Sequence, residues 1–145
     1  MKLSKAVKHK LDPAQCDVLV EALAGMIRQL VPWAVAVYVF GSFARGEDFS
    51  DLDIGVLMGR DVMQPLEFEL KLEAGLGKAL RYPVDVRILD SAPLSFQFAV
   101  VRDGRLVVDL EPNRRASFEG IVRKKYFDFS IFRRRYLKEV AHAGI

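Results

Sequence analysis

The chain has 145 residues, 51% of them hydrophobic, which is the length of one ordinary domain and enough to bury a core. Its one cysteine, Cys16, excludes an internal disulfide; with no leader-like start and no apolar run long enough for a bilayer, the sequence predicts a cytoplasmic protein without membrane contact. The net charge of +3 is uneven, because residues 112–145 carry nine Lys/Arg against three Asp/Glu while the remainder is net acidic.

Asp12-Pro13 reads as an N-cap followed by proline at the first helical position, and Gln15 completes a capping box. Ala14, Val18, Ala22, Met26 and Leu30 recur every four residues, with Leu19, Leu23 and Ile27 beside them. This predicts an amphipathic helix over 13–31, stopped by Pro32. Residues 34–40 are short, apolar and β-branched, a buried strand. Gly41-Ser42 breaks it, and 43–46 fit a short helical turn. A second buried strand over 52–58 is entered through Asp51. Residues 65–80 read as a helix, 84–89 as a third strand with Asp85 in its first half, and 93–101 as another helix. A fourth strand covers 105–110, although Asp103-Gly104 before it also fits a hairpin turn.

A long C-terminal helix over 112–142 closes the chain, with Phe118, Val122, Tyr126, Phe129, Phe132, Tyr136 and Val140 three to four residues apart. That spacing suits a packing seam better than a base-stacking platform. The basic tail therefore reads as a solvated helix face or a partner surface, and the pattern argues against direct nucleic-acid binding. Residues 1–145 form a single α+β domain in this reading, sandwich-like, with helices on one face of a small mixed β-sheet. The other face, or its rim, is left for a site. The termini, residues 1–12 among them, are expected to be flexible, so His9 and His142 are set aside as metal ligands, while Cys16 is assigned to packing or an exposed position on the first helix and Trp33 to the core or its rim.

The chemistry concentrates at three places. Gly41-Ser42 ends one strand and can offer backbone N–H groups and a hydroxyl to phosphate oxygens. Asp51 and Asp53 alternate along the entry to the next strand and so point the same way, with Cα atoms roughly 6.5–7 Å apart. Two such carboxylates can share magnesium ions about 3.5–4 Å from each other, and without a counter-charge they would be costly among apolar neighbours. Asp85 is a third carboxylate, between Val84 and Val86, and converges on the pair if its strand lies alongside. Arg87 faces the same side as Asp85 and is the alternative, purely structural partner. Each signal alone is weak, but together they suit a metal–nucleotide site.

Gly-Ser-Phe-Ala-Arg-Gly over 41–46, Ser50-Asp51-Leu52-Asp53-Ile54 and Val84-Asp85-Val86 resemble the minimal nucleotidyltransferase group of the polymerase-beta-like superfamily. Arg102-Asp103-Gly104-Arg105-Leu106, followed by the long helix with Tyr126-Phe127-Asp128, is similar to bacterial members paired with HEPN-domain toxins. The resemblance spans residues 34–141. It implies a nucleotidyltransferase fold, with Gly41 and Ser42 receiving the triphosphate of ATP and Asp51 and Asp53 binding two magnesium ions. In the same resemblance Asp85 binds the catalytic ion and helps deprotonate the acceptor hydroxyl, and Arg45 contacts a phosphate unless it pairs with Glu47 or Asp48. The implied reaction is transfer of AMP to a tyrosine of a cognate HEPN toxin, which silences it. One departure stands out: the eight residues between Ser42 and Asp51 make a loop shorter than is usual in this group.

Two further functions stay open at this stage. The chain could neutralise a toxin by binding alone, or it could modify a small molecule of the aminoglycoside type. At this length the latter would call on a second copy, in a homo-oligomer, to complete the acceptor site.

Overall fold

The computed structural model describes residues 7–143. Helix α1, Pro13–Leu30, starts as the sequence predicts: Asp12 Oδ1 accepts from the Gln15 amide at 2.7 Å, and Gln15 Oε1 accepts from the Asp12 amide at 2.9 Å. Strand β1 (Ala36–Phe40) runs directly into a single turn of helix, α2 (Gly41–Ala44). Then follow β2 (Leu52–Leu57), α3 (Pro65–Leu80), β3 (Val84–Ile88), α4 (Leu94–Asp103), β4 (Arg105–Asp109) and α5 (Pro112–His142). The strand order is β3-β2-β1-β4. β1 lies antiparallel to both β2 and β4, while β2 and β3 are parallel. The expected α+β class with a mixed sheet and a long last helix is thus what the chain adopts. The hairpin alternative at Asp103-Gly104 is not: Gly104 caps α4, its amide donating to Val100 O, and β4 pairs with β1.

Helices cover both faces of the sheet, not one. Val37, Val39, Ile54, Val56, Val86, Ile88 and Val108 pack with Leu19, Leu23 and Ile27 of α1 and Leu72 and Leu76 of α3. On the opposite face Ala36, Tyr38, Leu57 and Leu89 pack with Val100 of α4, and Phe118 of α5 closes against them. The reason lies in β1, which is apolar at every position, so both of its faces need cover. In α1 the core is met by Leu19, Leu23 and Ile27, the last two fully enclosed, while Val18 and Leu30 of the four-residue series are 70 and 47% exposed. A spacing of four advances about 40° round the helix at each step and so winds off the core.

Three polar ties hold the layers in register. Tyr38, enclosed in the sheet, donates its hydroxyl to Glu119 Oε2 at 2.8 Å. Arg115 joins Glu119 to Asp109 of β4, at 3.2 and 2.9 Å. Burial, reinforced by Glu119, pushes the Tyr38 hydroxyl far above its usual range, so it remains a donor. Asp90, just past β3, accepts from the amides of Met58 and Gly59 at 2.8 and 2.7 Å. At the outer margin of β3, Glu73 Oε2 and Glu69 Oε2, one turn apart on α3, accept from the amides of Val86 and Ile88 at 2.8 and 2.9 Å.

α5 is about 46 Å long and buries only Val122 fully. Phe127, Phe132 and Tyr136 are 61, 69 and 57% exposed. Among the described residues no helix is long and apolar enough to cross a membrane. His9 departs from the expected flexible terminus. Its amide and carbonyl exchange hydrogen bonds with Phe49, at 2.7 and 3.1 Å. Residues 1–6 of that segment lie outside the described residues.

Candidate active site

The site follows from what happens at the end of β1. Phe40 is the register partner of Asp53, so the residue after Phe40 must turn away beside that carboxylate. Gly41 does so with φ at 75°, in the left-handed region that favours glycine. A Cβ on Gly41 would also collide with Asp53 Oδ2. Glycine is therefore favoured by its backbone angle, and a side chain in its place would have to displace the carboxylate it faces.

Across the next strand pair, Asp53 is the direct register partner of Asp85. Gly41, Asp53 and Asp85 thus form a row over three adjacent strand ends, with neighbouring strands about 4.8 Å apart. Asp51 sits just before β2, one residue from its start. The row occupies the α4/α5 face at the sheet's rim, because Asp53 and Asp85 alternate with Ile54 and Val86 of the opposite core. The three sequence-predicted aspartates and the Gly41-Ser42 turn are therefore neighbours.

Electrostatics register that crowding. Asp53 is raised to about 6, by burial first and then by the nearby charges of Asp51 and Asp85. Arg45 and Arg87 offset this only in part. Neither arginine is spent on the aspartates. Arg45 binds Glu47 at 3.1 Å, and its Nη2 donates to Ser42 Oγ at 3.4 Å. Arg87, the alternative partner for Asp85, instead lies over the Phe96 ring, 5.5 Å from its centre. Among the described residues no three His, Cys, Asp or Glu side chains gather closely enough to enclose a cation by themselves.

Such a row of oxygen donors fits magnesium in the way that ion is held beside nucleotides: one or two carboxylates from the protein, the other ligands from phosphate oxygens and water. The half-buried carboxylate of Asp53, pressed by two others, is the local demand for a cation. The first turn of α2 presents backbone donors that a helix start leaves without helical partners.

Sequence reasoning missed the aromatic residues behind this row. Phe43 lies one residue past Ser42, Phe49 two before Asp51, and Tyr82 three before Asp85, and their rings meet. Nothing in the local periodicity marks them as a set; their only signal is that each stands next to a motif.

Comparison with known proteins adds the following. The profile of the family described as polymerase beta, nucleotidyltransferase, matches residues 29–113. No curated protein sequence gives a significant match. Among solved structures, a chain of the MntA–HepT toxin–antitoxin is similar at 22% identity and TM-score 0.66, covering 86% of this chain and 97% of that one. A toxin–antitoxin structure with AMP-PNP gives 24% identity and TM-score 0.69 over 83% of this chain and 97% of that one. The Shewanella oneidensis tri-AMPylated HEPN toxin in complex with MNT antitoxin gives 22% and 0.67, over 86% and 98%. At these identities the likeness establishes the fold alone. The profile match, however, takes in β1, the glycine–serine turn and all three aspartates, and the chain belongs to the polymerase beta nucleotidyltransferase family.

Proposed function

We propose that this nucleotidyltransferase is the antitoxin of a HEPN–MNT pair and transfers AMP from ATP to a tyrosine hydroxyl of its toxin, with magnesium. The observation that carries the reading is the row Gly41–Asp53–Asp85, in which a glycine-favouring backbone abuts a carboxylate whose strand partner is another carboxylate. The structural relatives support the choice of nucleotide and partner, since one was solved with AMP-PNP and another holds a tri-AMPylated HEPN toxin.

In this reading the backbone at Gly41 lets the triphosphate approach, and the Ser42 hydroxyl holds its terminal phosphates. Arg45 releases Glu47 to take a phosphate oxygen, which is cheap because the pair is exposed. Asp51 and Asp53 would hold the metal, and Asp85 receives the proton of the acceptor hydroxyl. Magnesium, when bound, would supply charge neutralisation at the phosphate oxygens. The acceptor oxygen forms a bond to the α-phosphorus as the bond to the β-phosphate oxygen breaks, and pyrophosphate leaves.

The test is to incubate the protein with ATP labelled at the α-phosphate, magnesium and the toxin encoded beside it. Label on the toxin, lost in Asp51→Ala and Asp53→Ala, is the expected result. A toxin that binds but stays unlabelled rejects the enzymatic reading. Masking is the second reading, favoured by the exposed Phe127, Phe129, Phe132 and Tyr136 of α5 next to Arg133, Arg134 and Arg135. Neutralisation that survives both aspartate substitutions would select it.

A further inference from the structure

The three segments that bring residues to the site also meet behind it. Phe43 follows the glycine–serine turn, Phe49 precedes Asp51, and Tyr82 precedes Asp85. Phe43 meets Phe49 edge-on with ring centres 5.0 Å apart, and Phe49 lies 5.5 Å from Tyr82. Phe49 is 1% exposed although it belongs to a short surface loop. The fourth member comes from the start of the chain. His9 packs edge-on to Tyr82 at 4.9 Å and tilted on Phe49 at 5.5 Å. Its backbone is joined to Phe49 in both directions, at 2.7 and 3.1 Å. Just past the loop, the Leu52 amide at the start of β2 donates to Pro83 O at 2.9 Å, which opens the pairing with β3.

We propose that this aromatic cluster sets the positions of Ser42, Asp51 and Asp85 relative to one another, and that His9 is a positioning residue that closes it. The proposal rests on the nucleotidyl-transfer reading above. Its physical basis is the short 43–50 connection. Over its last four residues Glu47, Asp48 and Ser50 are polar, and Phe49 alone is buried to anchor the approach to Asp51 in the core. The N-terminal segment supplies the strand-like partner that the loop lacks. Edge-to-face aromatic pairs prefer defined angles as well as defined distances, so the cluster fixes orientation where a generic apolar contact would permit sliding. Asp51 lies outside the sheet ladder, so it gains the most from an anchor two residues away.

The experiment uses the full chain, with His9→Gly, His9→Phe, and Val108→Ala as a control that lowers stability elsewhere in the core. Two quantities are read: amide exchange over residues 46–51, and Mn2+ affinity in the presence of AMP-PNP. In His9→Gly, exchange over 46–51 should rise by about tenfold or more, as a locally opened segment does, and Mn2+ affinity should fall about tenfold. His9→Phe should restore both, and Val108→Ala should reproduce neither at equal thermal loss. If His9→Gly does not fold, Tyr82→Leu opens the same cluster from the β3 side and is read in the same way. Unchanged exchange, exchange that rises while Mn2+ affinity holds, or a control that matches His9→Gly in both overturns the proposal. A wild-type protein that binds no Mn2+ with AMP-PNP defeats the nucleotidyl-transfer reading instead, and the exchange measurement then decides whether the cluster holds the loop.

Discussion

Alanine at position 41 separates two demands that the structure places on one residue. The backbone demand is the left-handed angle, φ 75°, which costs a residue with a Cβ about 1–2 kcal/mol. For a chain of this size that is a fall in Tm of about 3–6 °C. The second demand is specific to the site. The added methyl would overlap Asp53 Oδ2 and lie 3.1 Å from Cγ, while the Asp53 Cβ, at 3.5 Å, stays in ordinary contact. The carboxylate end must therefore swing aside by about 1 Å, and a displacement of that size at reacting groups lowers a rate about 100-fold. Gly46 is the matched control: its φ is 73°, and a Cβ there meets nothing within 4 Å. Gly46→Ala should show the same thermal loss with nucleotide transfer nearly intact. Both variants would be assayed by thermal unfolding and by transfer of α-labelled AMP. Equal losses of transfer in the two would refute the argument, because backbone strain alone would then explain everything.

Asp53→Asn tests the raised carboxylate. The folded group titrates at about 6, above its ordinary 3.8, so without metal the wild type loses stability as pH rises from about 4 through 6 and is level above. Because Asp53 is only half-buried, solvent screening reduces the effect to about 1 kcal/mol. The Asp53→Asn variant should be more stable than the wild type at pH 8 by that amount, with the gap closing at pH 4. Denaturant midpoints across pH measure it, and a gap that widens on acidification contradicts the assignment. Asp85→Asn should lower transfer by about 100-fold or more while ATP affinity changes little; a loss of ATP affinity with transfer per bound nucleotide preserved would assign Asp85 to nucleotide binding. Tyr38→Phe removes the donor to Glu119 and should cost about 1 kcal/mol, seen as a Tm lower by about 3 °C. A neutral result would mean that Arg115 alone satisfies Glu119.

Most of the architecture was legible because it is local. The Asp12–Gln15 cap, the β-branched runs and the Gly41 break each act within a few residues, and the elements they mark agree with the structure to within a few residues at their ends. The juxtaposition of Asp53 and Asp85 was legible as a condition on strand order, which the register then meets. What stayed hidden depends on distant partners. Glu119 reaches Tyr38 across 81 residues, and no periodicity encodes that meeting. His9 looked loose because its partner, Phe49, lies in a loop with no pattern of its own. The second helical layer was missed although β1 announces it, since a run that is apolar at every position has two faces to cover.

The carboxylates of Glu69 and Glu73 have an outcome beyond holding α3 to the sheet. They occupy the outward amides of the strand that would otherwise be an open margin. A visiting chain that tried to extend the sheet there would have to evict two anions and leave them facing its own main chain. Growth by strand addition, including the runaway kind that ends in fibres, is shut on that flank. A partner is left to engage the protein through its helices, its loops or the far border at β4.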